Sequence, residues 1–151
     1  MKQETPRLSA RALIYQDNHL LLTKYEDDRG FWYVTPGGGV NKGESVSEGL
    51  ERELFEELGA KIIVGNLVAV REVTSLPVDE PYLPANFHQV EMFFFCELDS
   101  ITGIATESDP GQIGHEWVSC DELKHKLLFP EYFKPHFASK TFDKIYYGNI
   151  R

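Results

Sequence analysis

Apolar residues fall along this chain in short blocks separated by turn-forming clusters, except in one central stretch where they recur every fourth position. ARALIYQ and HLLLTKY flank Asp17-Asn18 and predict a β-hairpin about that pair. FWYV (Phe31 to Val34) predicts a short strand that runs into a break at Pro36, Gly37, Gly38 and Gly39. KIIVGNLVAVREV is rich in β-branched residues and predicts one long strand, bulged at Gly65. SLPVDEPYLPAN holds three prolines and reads as a loop. HQVEMFFFCEL then predicts a strand in the middle of a sheet. DSITGIATESDPGQIG predicts a polar loop long enough to serve as a lid, and HEWVS a short strand. From Asp121 the chain reads as pieces of helix punctuated by Pro130 and Pro135.

The central stretch differs in period. Leu50, Leu54 and Leu58 form one apolar stripe, which predicts a helix from about Val46 to Leu58. Ser45 with Glu48 three residues on is a capping box, and Gly59 is the stop signal. Strands outnumber helices and a helix lies between strands, so the fold class is α/β, a mixed β-sheet covered by helices.

Glu53, Glu56 and Glu57 sit at i, i+3 and i+4 on a face bordering that stripe. Carboxylates at this end add to the negative pole of the helix dipole and repel one another, and Arg52 is the one basic residue of the helix. One reading is a solvated acidic face. The other is a cluster of hard oxygens whose repulsion a divalent cation would turn into attraction. The glycines upstream allow close backbone approach and offer carbonyls, but no GK[ST] follows them, which argues against a P-loop.

Length and charge narrow the partners. At 151 residues the chain is expected to form one domain, 1–151, without staples. Its 15 Lys+Arg against 24 Asp+Glu give a net charge of −9, which argues against a nucleic-acid footprint but not against a small phosphorylated ligand screened by metal. No long apolar run predicts a membrane span, and the polar start MKQETPRLSA points to a cytoplasmic location. Cys96 and Cys120, with no CxxC, read as free thiols. A homodimer is allowed, although no residue argues for one.

The combined pattern is more specific than its parts. From Gly38 the chain reads Gly, five residues, Glu44, seven residues, then Arg52-Glu53-Leu54-Phe55-Glu56-Glu57-Leu58-Gly59-Ala60. This closely resembles the Nudix box, the signature of the Nudix hydrolases. The box spans 23 of the 151 residues, and its one soft departure is Ala60, where the family usually has a larger aliphatic residue. The order of flanking elements is similar too, so the resemblance implies a Nudix-like α/β/α sandwich with a mixed β-sheet. It implies hydrolysis of the pyrophosphate bond in a nucleoside diphosphate linked to another group, with Mg²⁺ or Mn²⁺ as cofactor.

Matched position by position, the resemblance makes Glu53, Glu56 and Glu57 metal ligands, joined by the carbonyl of Gly37. It makes Arg52 the residue that orients the glutamates and Glu44 the loop acid that steadies it. Family members differ in their general base. Glu53 is the first choice here, with Glu107, Asp109 and Glu116 in reserve. Gly38, Gly39 and Arg71 are candidate substrate contacts, as are Lys24 and Arg29. Phe31, Trp32, Tyr33, Phe87 and Phe93 to Phe95 read as core more than as base-stacking surfaces, and the five histidines show no metal-ligand spacing. Pro77 lies near the offset of a family marker for ADP-ribose without matching it, and no SQPWPF-type motif for NADH is present. ADP-ribose-like sugars, nucleoside triphosphates and dinucleoside polyphosphates therefore stay open as substrates. A nucleotide-sensing binding module and an RNA 5′-end pyrophosphohydrolase are the alternatives.

Overall fold

The computed structural model describes residues 5–74 and 87–151. In chain order its elements are β1 (Arg7–Leu13), β2 (Tyr15–Gln16), β3 (His19–Asp27), β4 (Gly30–Val34), β5 (Gly37–Gly39), α1 (Val46–Leu58), β6 (Ala60–Thr74), β7 (His88–Ile101), β8 (Gln112–Ser119), β9 (Leu128–Phe129), α2 (Lys134–Ser139) and β10 (Tyr146–Asn149). Short 3₁₀ turns cover Cys120–His125 and Glu131–Phe133. The expected loop SLPVDEPYLPAN, with Pro77, lies outside the described residues.

The strands build two mixed sheets. One has the order β10-β6-β7-β1-β5; in the other β3 pairs β2, β4 and β8, and β4 pairs β9. The predicted hairpin is present but short. Asp17 and Asn18 both take positive φ, as a tight two-residue turn requires, yet only Tyr15 and Gln16 pair back onto β3. The rest of the first apolar run crosses at Ile14 into the other sheet, where β1 pairs in parallel with β7. β7 lies between β6 and β1, central as its composition predicts. β6 shifts register between Val64 and Leu67, around Gly65, which is the expected bulge.

Gly37–Gly39 do not simply break the chain. They form β5 and pair antiparallel with Arg11, Ala10 and Ser9. Gly37 has φ +147°, and a Cβ there would collide with the Ala10 carbonyl, so glycine is required for this close approach.

Helix α1 runs over Val46–Leu58, with Ser45 and Glu48 making both capping-box bonds and Gly59 at φ 59° closing it in the left-handed region. Its stripe, Leu50, Leu54 and Leu58, packs on Ala10 and Ala12 of β1, on Ile14 just after it and on Leu21 of β3. Each buried leucine contributes about 1.5–3 kcal/mol. The opposite face of β1 and β7 presents Leu13 and Phe93 to Phe133 and Phe137 of the C-terminal segment. Helices thus cover both faces, and the result is an α/β/α sandwich. No helix among the described residues is long and apolar enough to cross a membrane.

Candidate active site

The capping box and the leucine stripe fix the rotation of α1, and that rotation divides its polar residues. Arg52 becomes a hub. Its Nε and Nη2 meet the two oxygens of Glu44 at 3.2 and 2.8 Å, and Nη2 also donates to the Gly39 carbonyl at 2.9 Å. Its Nη1 bridges Glu53 (3.0 Å) and Glu56 (3.1 Å). Glu44 takes a further bond from the Asn41 amide at 2.7 Å. The hydrogen bond from Arg52 holds the Glu44 carboxyl below its ordinary range, and Glu44 in turn helps raise Arg52.

Glu57 points inward. It is 6% exposed, and its Oε2 accepts from Thr23 Oγ1 at 3.5 Å. Burial pushes its carboxyl up to about 8; Arg11 and the Gly37 amide oppose the shift, while Glu53 and Asp109 add to it. Burial also raises Glu53, against the pull of Arg52.

The glycine strand is held from three directions. Arg11 Nη1 donates to the Gly37 carbonyl at 3.3 Å and to Thr35 at 3.0 Å, Ser9 Oγ donates to Gly38 at 3.1 Å, and Arg52 holds Gly39. Sequence reasoning missed Ser9 and Arg11. The available signal was weak: Ser9 and Arg11 interrupt the apolar residues Leu8, Ala10, Ala12 and Leu13 of β1.

The acidic end of α1 is closed by the loop between β7 and β8. Gly59 N–H returns to Phe55, Thr102 N–H donates to Gly59, Gly103 N–H to Leu58, and the amides of Thr106 and Glu107 both to Glu56. This loop is tied at its far end as well, where Glu26 N–H donates to the Gly111 carbonyl at 3.1 Å.

A cavity of about 580 Å³ adjoins these groups and is lined by Arg11, Tyr25, Gly37, Gly38, Glu53 and Asp109, among others. A wider, more open groove of about 840 Å³, beside Cys120, Lys124 and Pro135, contains none of the box side chains.

Of the reserve bases, Asp109 lines the cavity and accepts from Tyr25 Oη at 3.2 Å. Glu107 is exposed, and its amide serves the helix end. Glu116 lies 4.0 Å from Lys24; Lys24 follows Thr23 on β3 and so faces away from Glu57. Lys24 Nζ also sits 4.0 Å over the Phe31 ring, and Arg29 pairs with Asp27. Trp32, Tyr33 and Phe93 are core, as read, whereas Phe31, read the same way, is half exposed.

Arg71 is a correction. Expected at a substrate phosphate, it is fully buried and ion-paired to Glu91 at 2.9 Å. Burial alone would raise Glu91, but Arg71 and Arg11 overcome it and hold that carboxyl below the ordinary range. A lone arginine in a β-branched strand looks identical in sequence whether it faces a ligand or a buried partner 20 residues away.

Among the described residues no three acidic, histidine or cysteine side chains already close on a common point. Glu53 and Glu56 share Arg52 instead, and Glu57 turns to Thr23. The donor set nevertheless suits a hard divalent cation, being carboxylate and carbonyl oxygen throughout. Gly38 leaves room beside it: a Cβ there would stand 2.6 Å from the Glu53 carboxylate.

Fold and site together define a class. The NUDIX domain model matches residues 5–137, and the chain belongs to the NUDIX family; by class it is a pyrophosphohydrolase. It is 29% identical over 119 residues to the nucleoside triphosphatase NudI of Klebsiella pneumoniae strain 342, covering 75% of this chain and 82% of that protein. A shorter match, 41% identical over 58 residues, covers 36% of this chain and only 41% of the nucleoside triphosphatase NudI of Salmonella agona. The solved structure of a NUDIX hydrolase from Nitrosomonas europaea shares the fold at TM-score 0.72 and 20% identity, over 90% of each chain.

Proposed function

We propose that this protein hydrolyses the pyrophosphate bond of a small nucleotide with a divalent cation, Mg²⁺ or Mn²⁺, and that nucleoside triphosphates are the first substrates to test. The observation that carries this reading is the Arg52 hub, which ties Glu44, Glu53, Glu56 and the Gly39 carbonyl into one unit beside a cavity. The likeness to a nucleoside triphosphatase over 82% of that protein's length favours triphosphates within the wider class of nucleoside diphosphate derivatives.

Glu53, Glu56, Glu57 and the Gly37 carbonyl would hold the cation, which when bound supplies charge neutralisation at the diphosphate and a more acidic water. Arg52 orients Glu53 and Glu56, and Glu44 locks Arg52. Glu53 lines the cavity and, with its carboxyl raised by burial, is the first candidate to take the proton of the attacking water. Asp109, on the same cavity, is the second. Attack at one phosphorus breaks the anhydride P–O bond, and the other phosphate leaves with the bonding electrons. Gly38 and Gly39 bring bare backbone to the phosphates.

A panel of nucleoside triphosphates, nucleoside diphosphate sugars and dinucleoside polyphosphates, each with Mg²⁺ or Mn²⁺, tests this. Nucleoside monophosphate should form with the wild type and not with Glu57→Gln. Tight nucleotide binding with no product from any member would instead make the protein a sensing module.

A further inference from the structure

Gln89, on β7, is buried and lines the same cavity as Glu53 and Gly38. Its Nε2 donates to Glu91 Oε2 at 3.0 Å. Glu91 is ion-paired to both Arg11 and Arg71, so its carboxylate only accepts, and the amide is fixed with its NH₂ toward Glu91. The other end, Gln89 Oε1, is buried and has no hydrogen-bond partner among the described residues. Native proteins seldom leave a buried carbonyl without a donor, and each exception calls for a reason.

Its place in the sheet suggests one. Gln89 pairs with Arg7 on β1, and Gly37 pairs with Arg11 on the same strand. Four residues of β1, about 13 Å at 3.3 Å each, separate the two levels. Glu53, Gly37 and Gln89 line one cavity, so a nucleotide with its phosphates at Glu53 and Gly37 can reach Gln89 with its organic half. The same cavity offers apolar surface, because Trp32, stacked on Tyr25 at 4.3 Å, and Phe87 line it too.

We propose that Gln89 is a specificity-determining residue whose Oε1 accepts a hydrogen bond from an uncharged N–H or O–H donor on the organic half of the substrate. The inference rests on the nucleotide-hydrolase reading of the neighbouring carboxylates. The donor is an amino or imino group of the base or a hydroxyl of the sugar. A second acceptor facing Oε1 would be repelled, so the contact discriminates by sign as well as by fit.

The test is calorimetric binding of α,β-methylene nucleoside triphosphates, which cannot be cleaved at that bond, to the full chain with Mg²⁺. Each base is paired with an analogue lacking a donor: adenine with purine, cytosine with 2-pyrimidinone, uracil with N3-methyluracil, and guanine with N1-methylguanine and hypoxanthine. The 2′-deoxy and 3′-deoxy forms probe the sugar. In at least one comparison the wild type should favour the donor-bearing ligand by roughly ten- to hundred-fold. Gln89→Met should bind both members equally, and whether a base or a sugar comparison responds identifies the source. No preference in any wild-type comparison overturns the proposal, whether or not Gln89→Met folds, and so does a preference that survives in Gln89→Met or a failure of every ligand to bind. Cleavage of ordinary triphosphates without discrimination defeats this inference alone. Discrimination without cleavage defeats the hydrolase reading alone.

Discussion

The amide of Gly103 donates to the carbonyl of Leu58 at 2.8 Å, closing the end of the helix that bears the box glutamates. Thr106 and Glu107 donate to the Glu56 carbonyl and Thr102 to that of the cap, Gly59, so three loop amides meet carbonyls of α1 and a fourth meets its cap. Dipole and carboxylates still share one pole, but the carbonyls of Phe55, Glu56 and Leu58 are paired and Arg52 offsets two of the three glutamates.

Gly59, the cap of α1, meets that loop through its carbonyl, which accepts from Thr102 N–H. It sits at φ 59°, and a Cβ would strike Thr102 Oγ1. Gly59→Ala should lower stability by about 1–3 kcal/mol through left-handed strain, more if the loop is displaced. Denaturant unfolding measures this. A change within error would mean that the loop absorbs the methyl group freely.

If Glu44 serves the site as proposed, it does so at one remove, through its ion pair with Arg52. Glu44→Gln should lower kcat/KM by roughly ten- to hundred-fold while the protein stays folded, as expected for a partner that orients metal ligands. Unchanged kinetics would remove Glu44 from the positioning unit.

Arg71 separates the structural from the substrate-binding reading. Arg71→Met strands the fully buried Glu91 without one of its two arginines, so unfolding free energy should fall by about 3–5 kcal/mol. KM of the folded fraction should change little. A large rise in KM with intact stability would restore the expectation that Arg71 meets phosphate.

Glu57 makes stability depend on pH. Its folded-state value, about 8, lies above the ordinary 4.5. Below about pH 4.5 folded and unfolded chains both hold this proton and nothing is lost. As pH climbs toward 8 the unfolded chain releases it first, so the metal-free fold loses stability across that window. Glutamine mimics the protonated acid, so with chelator present Glu57→Gln should exceed the wild type in stability by a margin that widens with pH. A margin independent of pH would show that Glu57 is ionised throughout.

Local signals made much of this legible. Ser45, Glu48, Gly59 and three leucines placed α1 at Val46–Leu58, because capping and stripe are both written within one helix. β9 and β10 escaped notice: they hold two and four residues and exist only through parallel pairing with the distant β4 and β6. The glycines read as a break because glycine has no strand preference; β1 makes them a strand. Arg52 and Glu44 stood in the motif, whereas Ser9, Arg11 and Gln89 reach the site only across sheet pairings that no local pattern records.

The most direct measurement is the melting temperature of the metal-free protein titrated with Mg²⁺, for the wild type and for Glu53→Gln/Glu57→Gln. If the acidic end of α1 is a metal site, the wild type should rise with concentration, by an amount corresponding to about 2.7 kcal/mol at one hundred times the Kd, and the double variant should stay nearly flat. Equal rises in both would contradict the account and leave those glutamates without the purpose assigned to them.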